Sequence, residues 1–69
     1  MPERLANRLK ERRTELGLTQ AELAEQVGVT RKTVNTVENG VFVPSTILAL
    51  KLAKALDRSV EELFSISPG

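Results

Sequence analysis

Apolar residues recur along this chain at intervals of three and four, and no stretch alternates between apolar and polar positions in the way that marks a central strand. The pattern is helical almost throughout and predicts an all-α, compact five-helix domain. A first helix is expected over about residues 4–16, with Leu5, Leu9 and Leu16 on one stripe and Gly17 ending it. Arg12 falls on that same stripe and Arg13 at its edge. The second helix has a sharp start: Thr19 is a good N-cap, Glu22 completes a capping box, and Leu18 and Leu23 have the spacing of a hydrophobic staple. It runs to about Val27 with Leu23, Ala24 and Val27 inward, and Gly28 supplies the left-handed residue that lets the chain turn.

Only Gly28, Val29 and Thr30 separate this helix from the next, in which Thr30 is the N-cap and Val29 can staple onto Val34. So short a connection centred on glycine is the geometry of a helix-turn-helix at about residues 19–39. On a wheel of 100° per residue, Val34, Val37 and the edge residue Glu38 face inward. Lys32, Asn35, Thr36 and Asn39 lie opposite, flanked by Arg31 and Thr33. The placement of Arg31 and Lys32 is unusual, because cations in a first turn oppose the helix dipole and cost roughly 0.3 to 1 kcal/mol each. A fourth helix begins at Ser45 after Pro44, and Ile47, Leu48, Leu50, Leu52, Ala53, Ala55 and Leu56 cover most of its circumference, as befits a central core helix. Ser59 and Glu62 form a second capping box for a short fifth helix carrying Val60, Leu63 and Phe64. The last residues, 65–69, read as a tail, and the core as about 5–64 of a single domain spanning 1–69.

Composition narrows the functions available. A chain of 69 residues buries only about 60% of its unfolded surface, so a partner surface would help it and self-association is expected. It contains no cysteine and no histidine, which removes thiolate chemistry and the commonest general bases and metal ligands. No catalytic constellation, metal site or cofactor is expected. The start, "MPERLANRLKERR", lacks the apolar run of a signal peptide, and no segment approaches a membrane span. A cytoplasmic location without membrane contact is the expectation. A net charge of +1 says little about nucleic acid globally, although residues 1–16 carry five Lys/Arg against three acids; any basic footprint must be local.

The run "GLTQAELAEQVGVTRKTVNTVENG" resembles the helix-turn-helix of the Cro/cI-like (xenobiotic-response-element) repressor family, and "VPSTILALKLAKALDRSVEELF" is similar to that family's fourth and fifth helices. The resemblance covers about residues 5–64 and implies a lambda-repressor-like fold and sequence-specific binding of double-stranded DNA. It implies base-reading positions at Arg31, Lys32, Thr33, Asn35 and Thr36, and phosphate contacts at Gln20, Thr30 and Asn39. The bland readings stand beside these: an exposed first-turn residue for Gln20, a solvated helix face for the recognition positions, a C-cap for Asn39. The N-terminal residues of a recognition helix reach base edges, where Arg or Lys can donate to guanine, Asn can pair with adenine and a Thr methyl can touch thymine. That is a reason to keep two cations where the dipole disfavours them. The resemblance also implies a partly buried ion pair between Arg13 and Glu38.

Two features depart from the family pattern. Arg12 occupies a position that is usually apolar, so that either the stripe is partly exposed or Arg12 reaches toward a phosphate. The loop "VFV" lacks the basic residues that relatives aim at the DNA backbone; Phe42 is expected in the core, with Val41 and Val43 at the surface as a patch for a subunit or protein partner. A two-fold homodimer on a pseudo-palindrome is expected, with Leu63, Phe64 and Ile66 as interface candidates and the monomer's own core as the competing place for them, Leu63 above all. The stretch "LFSI" could instead pair as a short strand with residues near Leu5. The leading functional expectation is a transcriptional repressor acting by steric occupation. The alternative is an antitoxin or bridging-type protein-interaction module on the same fold.

Overall fold

In the computed structural model, which describes residues 3–68, five helices are closed off by a two-stranded antiparallel ribbon that joins the two ends of the chain. The elements are β1 (Arg4–Asn7), α1 (Leu9–Glu15), α2 (Gln20–Val27), α3 (Arg31–Glu38), α4 (Thr46–Leu56), α5 (Val60–Leu63) and β2 (Phe64–Ser67). The fold is therefore mostly helical, and the expectation of an all-α chain with a first helix from residue 4 and a tail from residue 65 is corrected at both ends. Leu5 pairs with Ile66 and Asn7 with Phe64. Residues 4–7 extend because a partner strand sixty residues away offers their backbone groups a ladder that a frayed first helical turn lacks. Gly69 of the expected tail lies outside the described residues.

Helix starts follow the local chemistry. Thr19 and Ser59 make complete capping boxes with Glu22 and Glu62, and Thr30 and Ser45 accept from the backbone N–H groups of Thr33 and Leu48. The ends repeat one device. After α2, Val29 N donates to Ala24 O at 3.0 Å and Gly28 N to Glu25 O at 3.3 Å around the left-handed Gly28, the paired bonds of a Schellman motif. The same bonds close α4 around Asp57, whose φ of +53° makes it the one non-glycine left-handed residue among those described.

The core is built from Leu9, Leu23, Ala24, Val27, Val34, Val37, Leu48, Leu52, Ala53, Leu56, Leu63 and Phe64. Several apolar side chains expected inside lie outside it. Phe42 is 48% exposed, so it does not tuck into the core, and Leu16, Ile47 and Leu50 are exposed as well. Helix α4 thus buries one stripe, Leu48, Leu52, Ala53 and Leu56, and leaves its opposite side to solvent. The stripe that carries Arg12 is partly exposed, at Leu16, and Arg12 is anchored within the fold: its Nε donates to Leu56 O at 2.8 Å, at the C-terminal end of α4, where a cation complements the helix dipole. No helix among the described residues is long and apolar enough to cross a membrane.

Candidate nucleic-acid interface

Helix α3 is held by its apolar side. Val34 and Val37 are buried while Arg31, Lys32 and Asn39 are exposed and Thr33, Asn35 and Thr36 half-buried. The outer face is therefore a set of donors and short polar side chains on a helix fixed from behind. Several of them are ordered by their own neighbours. Thr30 Oγ1 accepts from Thr33 N at 3.2 Å, Thr36 Oγ1 donates to Thr33 O at 2.9 Å, and Asn39 Nδ2 donates to Asn35 Oδ1 at 3.2 Å. Helices α2 and α5 carry glutamates in their first turns, but α3 carries no acid there. Two cations at the positive end of a helix dipole, with no carboxylate beside them, concentrate positive potential at one end of α3.

Behind this face a chain of polar contacts ties three helices together. Arg13 Nε donates to Glu38 Oε2 at 2.6 Å and Arg13 Nη2 to Glu38 Oε1 at 3.2 Å, with the two side chains 9% and 2% exposed. Arg13 Nη1 also donates to Leu18 O at 2.9 Å, and Gln20 Nε2 donates to Glu38 Oε1 at 3.0 Å. The buried carboxylate is thus met by three donors, the condition under which a buried charge is tolerated. Gln20 then passes the connection outward, since its Oε1 accepts from Arg31 Nη1 at 3.4 Å. An amide nitrogen has two hydrogens, so Gln20 can brace Glu38 and still present one to a ligand.

Other assigned positions fall differently. Leu63 and Phe64 are buried in the monomer at 2% and 8% exposure, which removes them as surface candidates for a subunit contact; Ile66, at 70%, is exposed. Asn7 was missed. Its Nδ2 donates to Val37 O at 3.0 Å and to Glu38 O at 3.4 Å, while its Oδ1 accepts from Leu9 N at 3.1 Å. One amide thus accepts from the first backbone N–H of α1 and holds the end of α3. An asparagine two residues before an apolar helical position was the readable half of this signal; the contact to α3 spans thirty residues and was not. Away from α3, a cleft of about 260 Å³ between α1 and α5 is lined by Arg8, Glu11, Arg12, Glu15, Arg58, Glu62 and Leu63. Its charges alternate in sign, and no group of His, Cys, Asp or Glu among the described residues could hold a metal ion.

A helix-turn-helix family model matches residues 9–63, which spans the five helices and stops at both strands of the ribbon. The chain belongs to the Cro/cI-type helix-turn-helix family of DNA-binding transcriptional regulators. It is 54% identical over 57 residues to an uncharacterized HTH-type transcriptional regulator of Methanothermobacter thermautotrophicus, covering 81% of this chain and 83% of that protein. Among solved structures it is similar to the restriction-modification controller protein C.AhdI from Aeromonas hydrophila, with 44% identity, a TM-score of 0.74, and coverage of 78% of this chain and 82% of that one. It is also similar to SinR, the master regulator for biofilm formation, in complex with DNA, with 33% identity, a TM-score of 0.71, and coverage of 77% and 86%.

Proposed function

We propose that this protein is a repressor that binds a pseudo-palindromic operator as a homodimer, placing α3 in the major groove and blocking access to the promoter by occupation. The observation that carries this reading is the outer face of α3. Arg31 and Lys32 stand in its first turn with no acid there, on a helix whose inner side is buried and whose end is pinned by Glu38. Arg31, Lys32, Thr33, Asn35 and Thr36 are the base-reading set, while Gln20, Thr30 and Asn39 contact phosphates. One such domain touches few base pairs. A two-fold dimer offers two recognition helices about 34 Å apart to successive turns of the groove, and the exposed Ile66 is the remaining interface candidate. The SinR structure supports the reading, since SinR is seen with DNA on a similar fold.

Selection of bound duplexes from a random pool at near-physiological salt, followed by sequencing, tests it. The expected result is enrichment of an inverted repeat with half-sites about one helical turn apart. Weak, salt-sensitive binding with no enriched sequence would sink the base-reading assignment and favour a protein-interaction module on this fold.

A further inference from the structure

The loop after α3 puts an apolar surface beside the recognition face. Val41 is 78% exposed and Phe42 48%, although both belong to residue types that folding normally hides. They are not loosely attached. Val41 N and Phe42 N donate to the same carbonyl, Thr36 O, at 2.9 and 3.2 Å, so the loop is fastened to the last turn of α3. Together with Lys32, Thr33 and Thr36 they line an open depression of about 360 Å³. Its walls are the valine methyls, the phenylalanine ring, two threonine side chains and a lysine stem. Phe42 also lines a second open depression with Val29, Ser45, Ile47 and Leu48, so the ring stands between two clefts.

The occupant follows from what shares this depression. Lys32 and Thr36 belong both to its wall and to the proposed base-reading face, and no acidic residue lines it. The surface is thus continuous with one that suits a polyanion, yet its centre is apolar. In the major groove the 5-methyl of thymine is the apolar group that a base edge presents, and cytosine lacks it. We propose that Val41 and Phe42, with the methyls of Thr33 and Thr36, form a subsite for one thymine methyl in each half-site. The inference rests on the DNA-binding reading above and adds to it two specificity-determining residues that lie outside α3.

The test uses the sequence enriched by duplex selection and replaces each thymidine, one at a time, by deoxyuridine, which pairs identically and lacks only the methyl. For the unaltered protein, one position per half-site is expected to bind about fourfold less tightly without its methyl, the worth of one buried methyl group. Val41→Ala and Phe42→Ala are expected to weaken binding to the thymidine duplex and to shrink that difference toward one, with the dimer unchanged in sedimentation. Val41→Ala alters a mostly exposed side chain, so it separates recognition from folding if Phe42→Ala melts early. An enriched operator that is indifferent to every methyl overturns this inference alone. So does a methyl penalty that is the same in the variants as in the original, or variants that change only the oligomeric state. Failure to enrich any sequence overturns the base-reading proposal and this inference with it.

Discussion

The side-chain amide of Asn7 donates to the carbonyl of Val37 at 3.0 Å, joining the last residue of β1 to the last turn of α3. Helix α3 is therefore held at its C-terminal end from the N-terminal strand, as it is held from α1 and α2 through Glu38. Val37 O also accepts from Gly40 N at 3.1 Å, so losing Asn7 does not orphan it. Asn7→Ala should cost about 1 kcal/mol, the net value of an ordinary hydrogen bond, measured as a lower urea midpoint. Asn7→Asp should be at least as harmful, because it keeps the acceptor for Leu9 N and aims a carboxylate at two carbonyls.

Breaking the Arg13–Glu38 pair should cost more. With the side chains 9% and 2% exposed, Glu38→Ala leaves a buried guanidinium without its partner, and a loss of about 3 to 5 kcal/mol is expected. The double variant Arg13→Met, Glu38→Leu should recover much of that, since apolar packing can replace a buried pair. A double variant no more stable than Glu38→Ala would show that Arg13 and Glu38 are needed for more than each other.

The capping boxes predict an acid limb. The backbone N–H of Thr19, and secondarily its side chain, hold the Glu22 carboxyl below the ordinary glutamate range, and Ser59 does the same for Glu62. A carboxyl whose pKa is lowered on folding contributes stability that is present above the unfolded value and disappears as pH falls through the folded one. Glu22→Gln with Glu62→Gln keeps an acceptor at each cap but removes this contribution, so the variant should have a somewhat lower urea midpoint near neutrality and a flatter fall below the ordinary glutamate range, the two proteins converging in acid.

Asp57 closes α4 in the left-handed region, at a φ of +53°, where glycine avoids a steric cost of roughly 1 to 2 kcal/mol. Asp57→Gly should therefore stabilise the fold by up to about 1 kcal/mol after the entropic cost of glycine, raising Tm in a thermal melt. Gly28→Ala should do the reverse. An added Cβ there meets nothing within 4 Å, so the loss reports backbone strain alone.

On the DNA side, Lys32→Ala or Thr36→Ala should weaken specific binding by about 1 to 3 kcal/mol and relax discrimination at one position in each half-site. Gln20→Ala should weaken all duplexes similarly. Equal losses on specific and random DNA in the α3 variants would contradict their assignment to base edges.

What was legible in the chain was what its near neighbours settle. Thr19 with Glu22 and Ser59 with Glu62 close rings of four residues, and Gly28 ends a helix through bonds reaching back no more than five. The outer face of α3 was legible for the same reason, since a helical wheel needs only spacing once Val34 and Val37 are inward. Arg12 could not be placed from spacing, because its partner, Leu56 O, is forty-four residues away.

The five helices, most of their ends and the residues α3 turns outward are thus written locally in the chain, because they follow from hydrogen bonds and periodicity within a few residues. Packing of distant segments is what extends residues 4–7 against residues 64–67. The same holds for Asn7 serving two helices and for Phe42 staying half outside while Leu63 and Phe64 go in. In each case the competing local choices are close in energy, and the contact that decides between them exists only after distant segments have packed.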